Sequence, residues 1–310
     1  MIKTEYLSKQ FNNNLAVDDL TIEVNEGEVF GFLGPNGAGK TTTVRMLTSL
    51  IAPSSGSAVV NGFRIGEQDT DIRRSVGILT ETPGMYDNLS AEFNLEIYAN
   101  LYEVKDPKGQ VEKYLRMLGL WERRQDEAGT FSKGMKQKLA IARSLLHEPR
   151  ILFLDEPTAA LDPEASHLVR EFIEELRKEG RTIFLCTHNL DEADRLCDRV
   201  AVFRTRLLAL DTPAALRKQL FGRSVVFHLR EVSPAHIQCL QGLHGVRSVE
   251  GIDRKILVGL DDPEQDNPRL IRALVEAGAD ILFVGELRRT LEDVYMRLVG
   301  ADGVAQDKLT

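Results

Sequence analysis

The run GPNGAGKT, from Gly34 to Thr41, has the spacing G-x-x-x-x-G-K-T, with EVFGFLG before it and TTTVRMLTSL after it. Strand, glycine-rich loop and helix in that order can hold phosphate. Gly34, Gly37 and Gly39 let the chain bend closely round an anion, so that backbone N–H groups and the first helical turn point at it. The Lys40 ammonium would reach the outer phosphates of a nucleotide, and the Thr41 hydroxyl is a hard oxygen ligand suited to Mg²⁺. A second stretch, RILFLDEP, puts Asp155 at the end of an apolar strand with Glu156 directly after it. Ligand groups gather at the carboxyl ends of strands in a parallel sheet, so Asp155 is expected to hold the metal beside the phosphate loop. Glu156 would then accept a proton from an attacking water. Alone, two acids at a strand end more often cap the next segment; a phosphate loop on a neighbouring strand reverses that reading.

Such groups need a sheet to bring them together. Strand-like segments recur at 21–24, 28–34, 57–62, 75–80, 150–155, 181–187 and 199–203. The later ones are short, almost wholly apolar and rich in β-branched or aromatic residues, as in a parallel sheet covered on both faces. Between two of them, Leu168, Val169, Phe172, Ile173 and Leu176 recur at helical spacing, and Gly180 ends the helix. Residues 88–149 read as consecutive helices, a helical insertion in an α/β domain. The pattern changes near 211–223, where Thr212-Pro213 opens a short charged helix. Beyond it the order strand, helix, hairpin around Asp253-Arg254, helix (268–279) and strand predicts a small ferredoxin-like βαββαβ sandwich. A terminal helix (290–300) with Thr290 as its cap follows. The expected division is therefore 1–212, a linker at 213–222, the α+β domain at 223–300 and a flexible tail at 301–310.

Composition narrows the class. The 310 residues carry 47 acidic against 39 basic side chains, a net charge of −8, which lacks the basic field of a dedicated nucleic-acid binder. No apolar run approaches the ~18 residues that span a bilayer, and the polar start MIKTEYLSKQF does not read as a signal peptide. Cys186, Cys197 and Cys239 show neither disulfide-framework nor zinc spacing, which points to a reducing compartment. A cytosolic protein is expected, without nucleic-acid partners or direct bilayer insertion, whose work at any membrane goes through a partner.

Read in order, the motifs resemble the nucleotide-binding subunit of an ABC transporter over about residues 2–212. FSKGMKQ (131–137) is similar to the signature segment LSGGQ, in which Ser132 and Gly134 present a helix N-terminus to ATP held by the other subunit. ALD (160–162) resembles the D-loop, with Asp162 near the attacking water, and THN (187–189) the switch, with His188 at the γ-phosphate. Phe11 matches the aromatic that stacks on adenine. The resemblance implies an ABC-type P-loop NTPase domain: a parallel core sheet, an antiparallel β subdomain and a helical subdomain. It implies ATP and Mg²⁺, with Gly34, Pro35, Asn36, Gly37, Ala38, Gly39, Lys40, Thr41 and Thr42 round the phosphates. Thr41, Asp155 and Glu81 would serve the metal, and Lys40, Glu156, Asp162 and His188 the hydrolysis. Partners would be a second ATPase subunit, most simply an identical one, and an integral membrane permease that holds the pair at the inner face of the membrane. Residues 83–89, with Met85, Tyr86 and Leu89, would face that permease.

Three residues depart from the pattern: Glu81 stands where a glutamine is usual, Lys133 replaces the first signature glycine and Met135 the signature glutamine. A carboxylate at 81 can still serve a metal-bound water. TETPGMY, FSKGMKQ and the tail with TLEDVYMRL together resemble the ABC-2 type subfamily that exports drugs, peptide antibiotics or lipids. An importer subunit fits the tail poorly. A soluble ATPase of translation or DNA repair usually holds two phosphate loops or a long coiled coil, and this chain has one loop and no heptad run.

Overall fold

The computed structural model describes residues 1–80, 84–159, 161–287 and 289–306, with side chains as far as residue 300. The chain divides into two compact units, Met1–Thr212 and Pro213–Thr310.

Along the first unit run β1 (Ile2–Phe11), β2 (Asn14–Leu20), β3 (Glu23–Val24), β4 (Val29–Leu33), α1 (Lys40–Leu47), β5 (Ser55–Val60), β6 (Phe63–Arg64), α2 (Asp69–Ser75) and β7 (Val76–Leu79). Then come α3 (Ala91–Leu101), α4 (Pro107–Met117), α5 (Lys133–Leu145), β8 (Ile151–Asp155), α6 (Pro163–Lys178), β9 (Thr182–Thr187), α7 (Leu190–Leu196), β10 (Arg199–Arg204) and β11 (Arg206–Asp211). Six strands form the central sheet in the order β11-β10-β4-β9-β8-β7, parallel throughout except for β11 at one edge. Every residue of β4, β8 and β9 is buried, which their unbroken apolar runs require. A second sheet is antiparallel, in the order β2-β1-β5-β6, with β3 also on β1.

The strands that sequence periodicity does not reveal are β1, β2, β6 and β11. In β1 the chain takes φ 51° at Tyr6, and its register against β5 slips between Glu5 and Ser8. This irregularity puts Leu7 and the adjacent Ser8 both inside, so the inside–outside alternation is lost from the sequence.

Between β7 and β8 stand α3, α4 and α5, each opened by a side-chain cap: Ser90, Asp106 with Pro107 behind it, and Ser132. Helix α6 buries Val169, Phe172, Ile173 and Leu176. Leu168, expected in that stripe, sits at its edge and is 41% exposed. The core of the central sheet is built round Phe184 of β9, whose ring lies 5.3–5.5 Å from those of Phe30, Phe32 and Phe153 on the neighbouring strands.

The second unit contains α8 (Pro213–Phe221), β12 (Arg223–Leu229), α9 (Pro234–Gln241), β13 (Val246–Ile252), β14 (Lys255–Leu260), α10 (Pro263–Glu276), β15 (Ile281–Glu286) and α11 (Leu291–Gln306). Its sheet is antiparallel in the order β13-β14-β12-β15, the split βαββαβ arrangement. Asp253, at φ 51°, turns the hairpin. The short charged helix expected in the linker is α8, and Phe221 at its end packs under the guanidinium groups of Arg289 and Arg297, at 5.0 and 5.1 Å. Two boundaries differ from expectation. Helix α10 opens at Pro263 and not at 268, because the Asp262 side chain caps the Gln265 N–H and Pro263 occupies the first turn. The terminal helix, expected to stop at 300, continues to Gln306. Among the described residues no helix is long and apolar enough to cross a membrane.

Since Phe184 is fully buried among three other rings, Phe184→Ala should lower the unfolding free energy of the first unit by about 3–5 kcal/mol. Urea unfolding checks it: the midpoint of that unit's transition falls while its slope is unchanged.

Candidate functional site

The phosphate-type loop leaves β4 at Gly34 and enters α1 at Lys40, at the carboxyl edge of the central sheet. Two of its glycines are forced by close approach. A Cβ on Gly34 would lie 2.2 Å from the Phe203 carbonyl oxygen, and one on Gly39 (φ 106°) would lie 2.3 Å from that of Ala16. Gly37, at φ 80°, meets nothing within 4 Å, so the loop is pinned at both ends and open at its crest.

Lys40 is buried. Its ammonium donates to the carbonyl oxygens of Gly34 (2.7 Å) and Pro35 (3.3 Å) and stands 3.5 Å from Glu156 Oε1. Beside it, the Thr41 hydroxyl donates to Asp155 Oδ2 at 2.8 Å, across from helix α1 to the end of β8. One hydroxyl and one carboxylate, both hard oxygen donors, fit Mg²⁺, which prefers few protein ligands and completes its shell with water and phosphate oxygens. Among the described residues there is no cluster of three His, Cys, Asp or Glu side chains able to hold a metal by itself. Glu81, expected to join Thr41 and Asp155, lies outside the described residues.

Glu156 follows Asp155 with φ 52°, a left-handed conformation that costs a non-glycine residue on the order of 1–3 kcal/mol. Its N–H donates to the Cys186 carbonyl at 2.9 Å, which helps to hold it there. The carboxylate is 9% exposed: Oε1 is 2.9 Å from His188 Nδ1 and Oε2 is 3.4 Å from the Thr187 hydroxyl. His188 itself is 60% exposed and reaches inward through this contact. Burial, and then the charge of Asp155, push the Cys186 thiol well above its usual range, so it stays neutral beneath the site.

A cavity of about 400 Å³ opens over these groups, bounded by Phe11, the loop residues Pro35, Asn36, Gly37 and Gly39 to Thr42, Asp155 and Glu156. Phe11 ends β1 and is 46% exposed, with the Lys9 ammonium 5.1 Å from its ring centroid. Ala38, buried beneath the loop, accepts from the Thr205 N–H at 2.9 Å. Asn14, Ala16 and Thr205 also wall the cavity and were not singled out by sequence. They belong to the β2 and β10–β11 edges, where no pattern of residue types marks them.

The remaining candidates gather elsewhere. Ser132 caps α5 by accepting the Met135 N–H at 3.3 Å, and Asp162 caps α6 by accepting the Ala165 N–H at 2.7 Å. A Cβ on Gly134 would touch Ala165 at 3.2 Å, so the starts of α5 and α6 lie side by side. Gln137 ties α5 to the segment after Glu156 through the Pro157 carbonyl, at 2.8 Å. Ser132, Gly134 and Asp162 form a patch of their own, and none of them lines the cavity over Lys40.

The family profile described as ABC transporter matches residues 17–159. The bacitracin transport ATP-binding protein BcrA of Bacillus licheniformis is 35% identical over 97% of this chain and 97% of its own length. The Nod factor export ATP-binding protein I of Rhizobium sp. (strain N33) is 35% identical over 96% of each. Among solved structures, an ATP-binding subunit of an ABC transporter superposes with a TM-score of 0.66 at 32% identity, covering 72% of this chain and 94% of that one. With whole-length likeness of this degree and an α/β core of the same kind, the chain belongs to the ABC transporter family as an ATP-binding subunit and an ATPase.

Proposed function

We propose that this subunit hydrolyses ATP with Mg²⁺ to drive a separate integral membrane exporter of a drug, peptide antibiotic or lipid-like compound. The observation that carries the catalytic part is the contact between the Thr41 hydroxyl and the Asp155 carboxylate, beside the buried Lys40–Glu156 pair. Bound Mg²⁺ would be held by Thr41 and Asp155 and would neutralise charge on the phosphates. Lys40, released from the Gly34 and Pro35 carbonyls, binds phosphate oxygens together with the backbone N–H groups of the loop. Glu156 takes the proton of the attacking water, and His188, on the other side of Glu156 Oε1, orients that carboxylate and reaches the γ-phosphate. Phe11 offers its exposed ring to adenine.

The separation of the Ser132–Gly134–Asp162 patch from the cavity supports a site shared between two subunits, most simply identical ones. The capped start of α5 would close on ATP held by the partner's loop. Docking to a permease would keep the pair at the inner face of the membrane. Tyr86, 53% exposed, suits that contact, since the buried Asn94 amide holds its backbone from both sides, at 2.9 and 3.0 Å. Met85 and Leu89 are half-buried beside it, and Pro83 lies outside the described residues. The relatives named for bacitracin transport and Nod factor export support the direction of transport.

Two outcomes test this reading. Glu156→Gln keeps size and hydrogen bonding but removes the proton acceptor, so ATP should bind and trap a dimer with hydrolysis slowed about 100-fold or more. Size-exclusion chromatography with Mg²⁺ and ATP, beside a phosphate-release assay, reads both, and full turnover would refute Glu156 as base. For the shared site, Lys40→Ala and Ser132→Arg should each abolish ATP occlusion alone. Co-expressed, they give mixed dimers with one site carrying both defects and one carrying neither, and occlusion should return. Mixed dimers that form yet occlude no ATP would place the whole site within one chain.

A further inference from the structure

Helix α7 carries an acid that the hydrolytic scheme leaves unused. Glu192 is 2% exposed, and its Oε2 is 3.1 Å from the Thr158 hydroxyl and 3.3 Å from the Thr187 hydroxyl. Its other oxygen, also buried, has no hydrogen-bond partner among the described residues. An acid in the first turn of a helix ordinarily faces solvent beside the free N–H groups. The cap is present, since Asn189 Oδ1 accepts the Glu192 N–H at 3.1 Å, but the carboxylate turns inward instead of toward solvent.

The two threonines decide what it can do there. Thr158 lies on the segment that leads from Glu156 to Asp162, and Thr187 ends β9 immediately before His188. Thr187 Oγ1 already accepts the Asn189 N–H at 3.0 Å. It therefore has one proton to give, and two carboxylates compete for it: Glu192 Oε2 at 3.3 Å and Glu156 Oε2 at 3.4 Å. Whichever takes the proton is the better satisfied and the less ready to accept another.

We propose that Glu192 is a positioning residue for hydrolysis: by accepting from Thr158 and Thr187 on one oxygen, it ties the Asp162 segment to the His188 strand end and draws the Thr187 proton away from Glu156. Glu156 is then left with an oxygen free to receive the proton of water. Burial, and to a lesser degree the charge of Glu156, raise the proton affinity of Glu192, while Thr158, Thr187 and the Arg170 guanidinium lower it. Those opposed influences suit a group that holds hydrogen bonds at a fixed place and leaves the chemistry to its neighbour.

This role rests on Glu156 as the base, and the test separates the two claims. Steady-state ATPase of the full chain is measured for Glu192→Ala, Glu192→Gln, Thr158→Val, Thr158→Ser and Glu156→Gln. Glu192→Ala should lower kcat about tenfold, the equivalent of one lost hydrogen bond to a charged group. KM for ATP should stay within about twofold, because Glu192 does not line the ATP cavity. Glu192→Gln, whose amide oxygen can accept from both threonines, should restore most of kcat, as should Thr158→Ser relative to Thr158→Val. The inference is overturned by wild-type kcat in Glu192→Ala, by a rise in KM alone, or by a folded Glu192→Gln as slow as the alanine variant. Should Glu192→Ala not fold, the Thr158 pair decides by itself: equal kcat for valine and serine refutes the tie. Full activity in Glu156→Gln would instead remove the base on which the role depends.

Discussion

A lysine ammonium buried beneath a loop must be paired, because an isolated charge removed from water costs far more than a folded domain can supply. Here Lys40 meets that demand with two carbonyl oxygens of its own loop and the Glu156 carboxylate. The arrangement constrains everything round it. Gly34 and Gly39 must lack side chains so that the loop lies against Phe203 and Ala16. Glu156 must turn through a left-handed conformation to face the ammonium, and the Cys186 carbonyl on β9 holds it there. Only a parallel sheet, with β4, β8 and β9 ending at the same edge, puts these three strand ends together. The parallel pairing of β9 with β4 and β8 fixes the distance between those strands, and the aromatic core centred on Phe184 packs beneath them. A polyphosphate offers the same ammonium a stronger set of oxygens, so binding replaces one pairing by another and leaves no charge unpaired.

The second constraint is distance within one chain. Ser132, Gly134 and Asp162 stand together at the starts of α5 and α6, yet they wall no part of the cavity over Lys40. Gln137, bonded to the Pro157 carbonyl, links the α5 end of that patch to the strand end that carries Glu156. A partner that closed on the patch would therefore move a segment attached to Glu156, the proposed base. The buried Glu192 lies on the same line of contacts, between Thr158 and Thr187.

Much of this was readable in residue types. GPNGAGKT leaves little freedom in how it folds, and ILFLD and TIFLCT are too apolar to lie anywhere but in the interior. The cap Ser132 follows from a side chain that satisfies a free N–H group of a helix start, whereas Asp162, read only as a D-loop residue, caps α6 as well. Other parts were hidden for physical reasons. The irregularity at Tyr6 shifts β1 out of alternation, and β2, which pairs with it and carries the wall residues Asn14 and Ala16, has no pattern of its own. Residues that contribute only backbone or a small side chain to a cavity leave no mark in composition. Glu192 was concealed by its own plausibility, since an acid in the first turn of a helix normally needs no further explanation. Pro268 suggested a helix start and stands in the second turn of one, because Asp262 and Pro263 supply a better start upstream.

The central claim is that the Lys40 pairing is what a nucleotide replaces, and calorimetric titration of ATP with Mg²⁺ into the full chain tests it most directly. The wild-type protein should bind one ATP per chain, and Lys40→Met, which keeps the length of the side chain without its charge, should lose about 100-fold or more in affinity. Equal affinity in the two proteins, with the variant folded, would contradict the account.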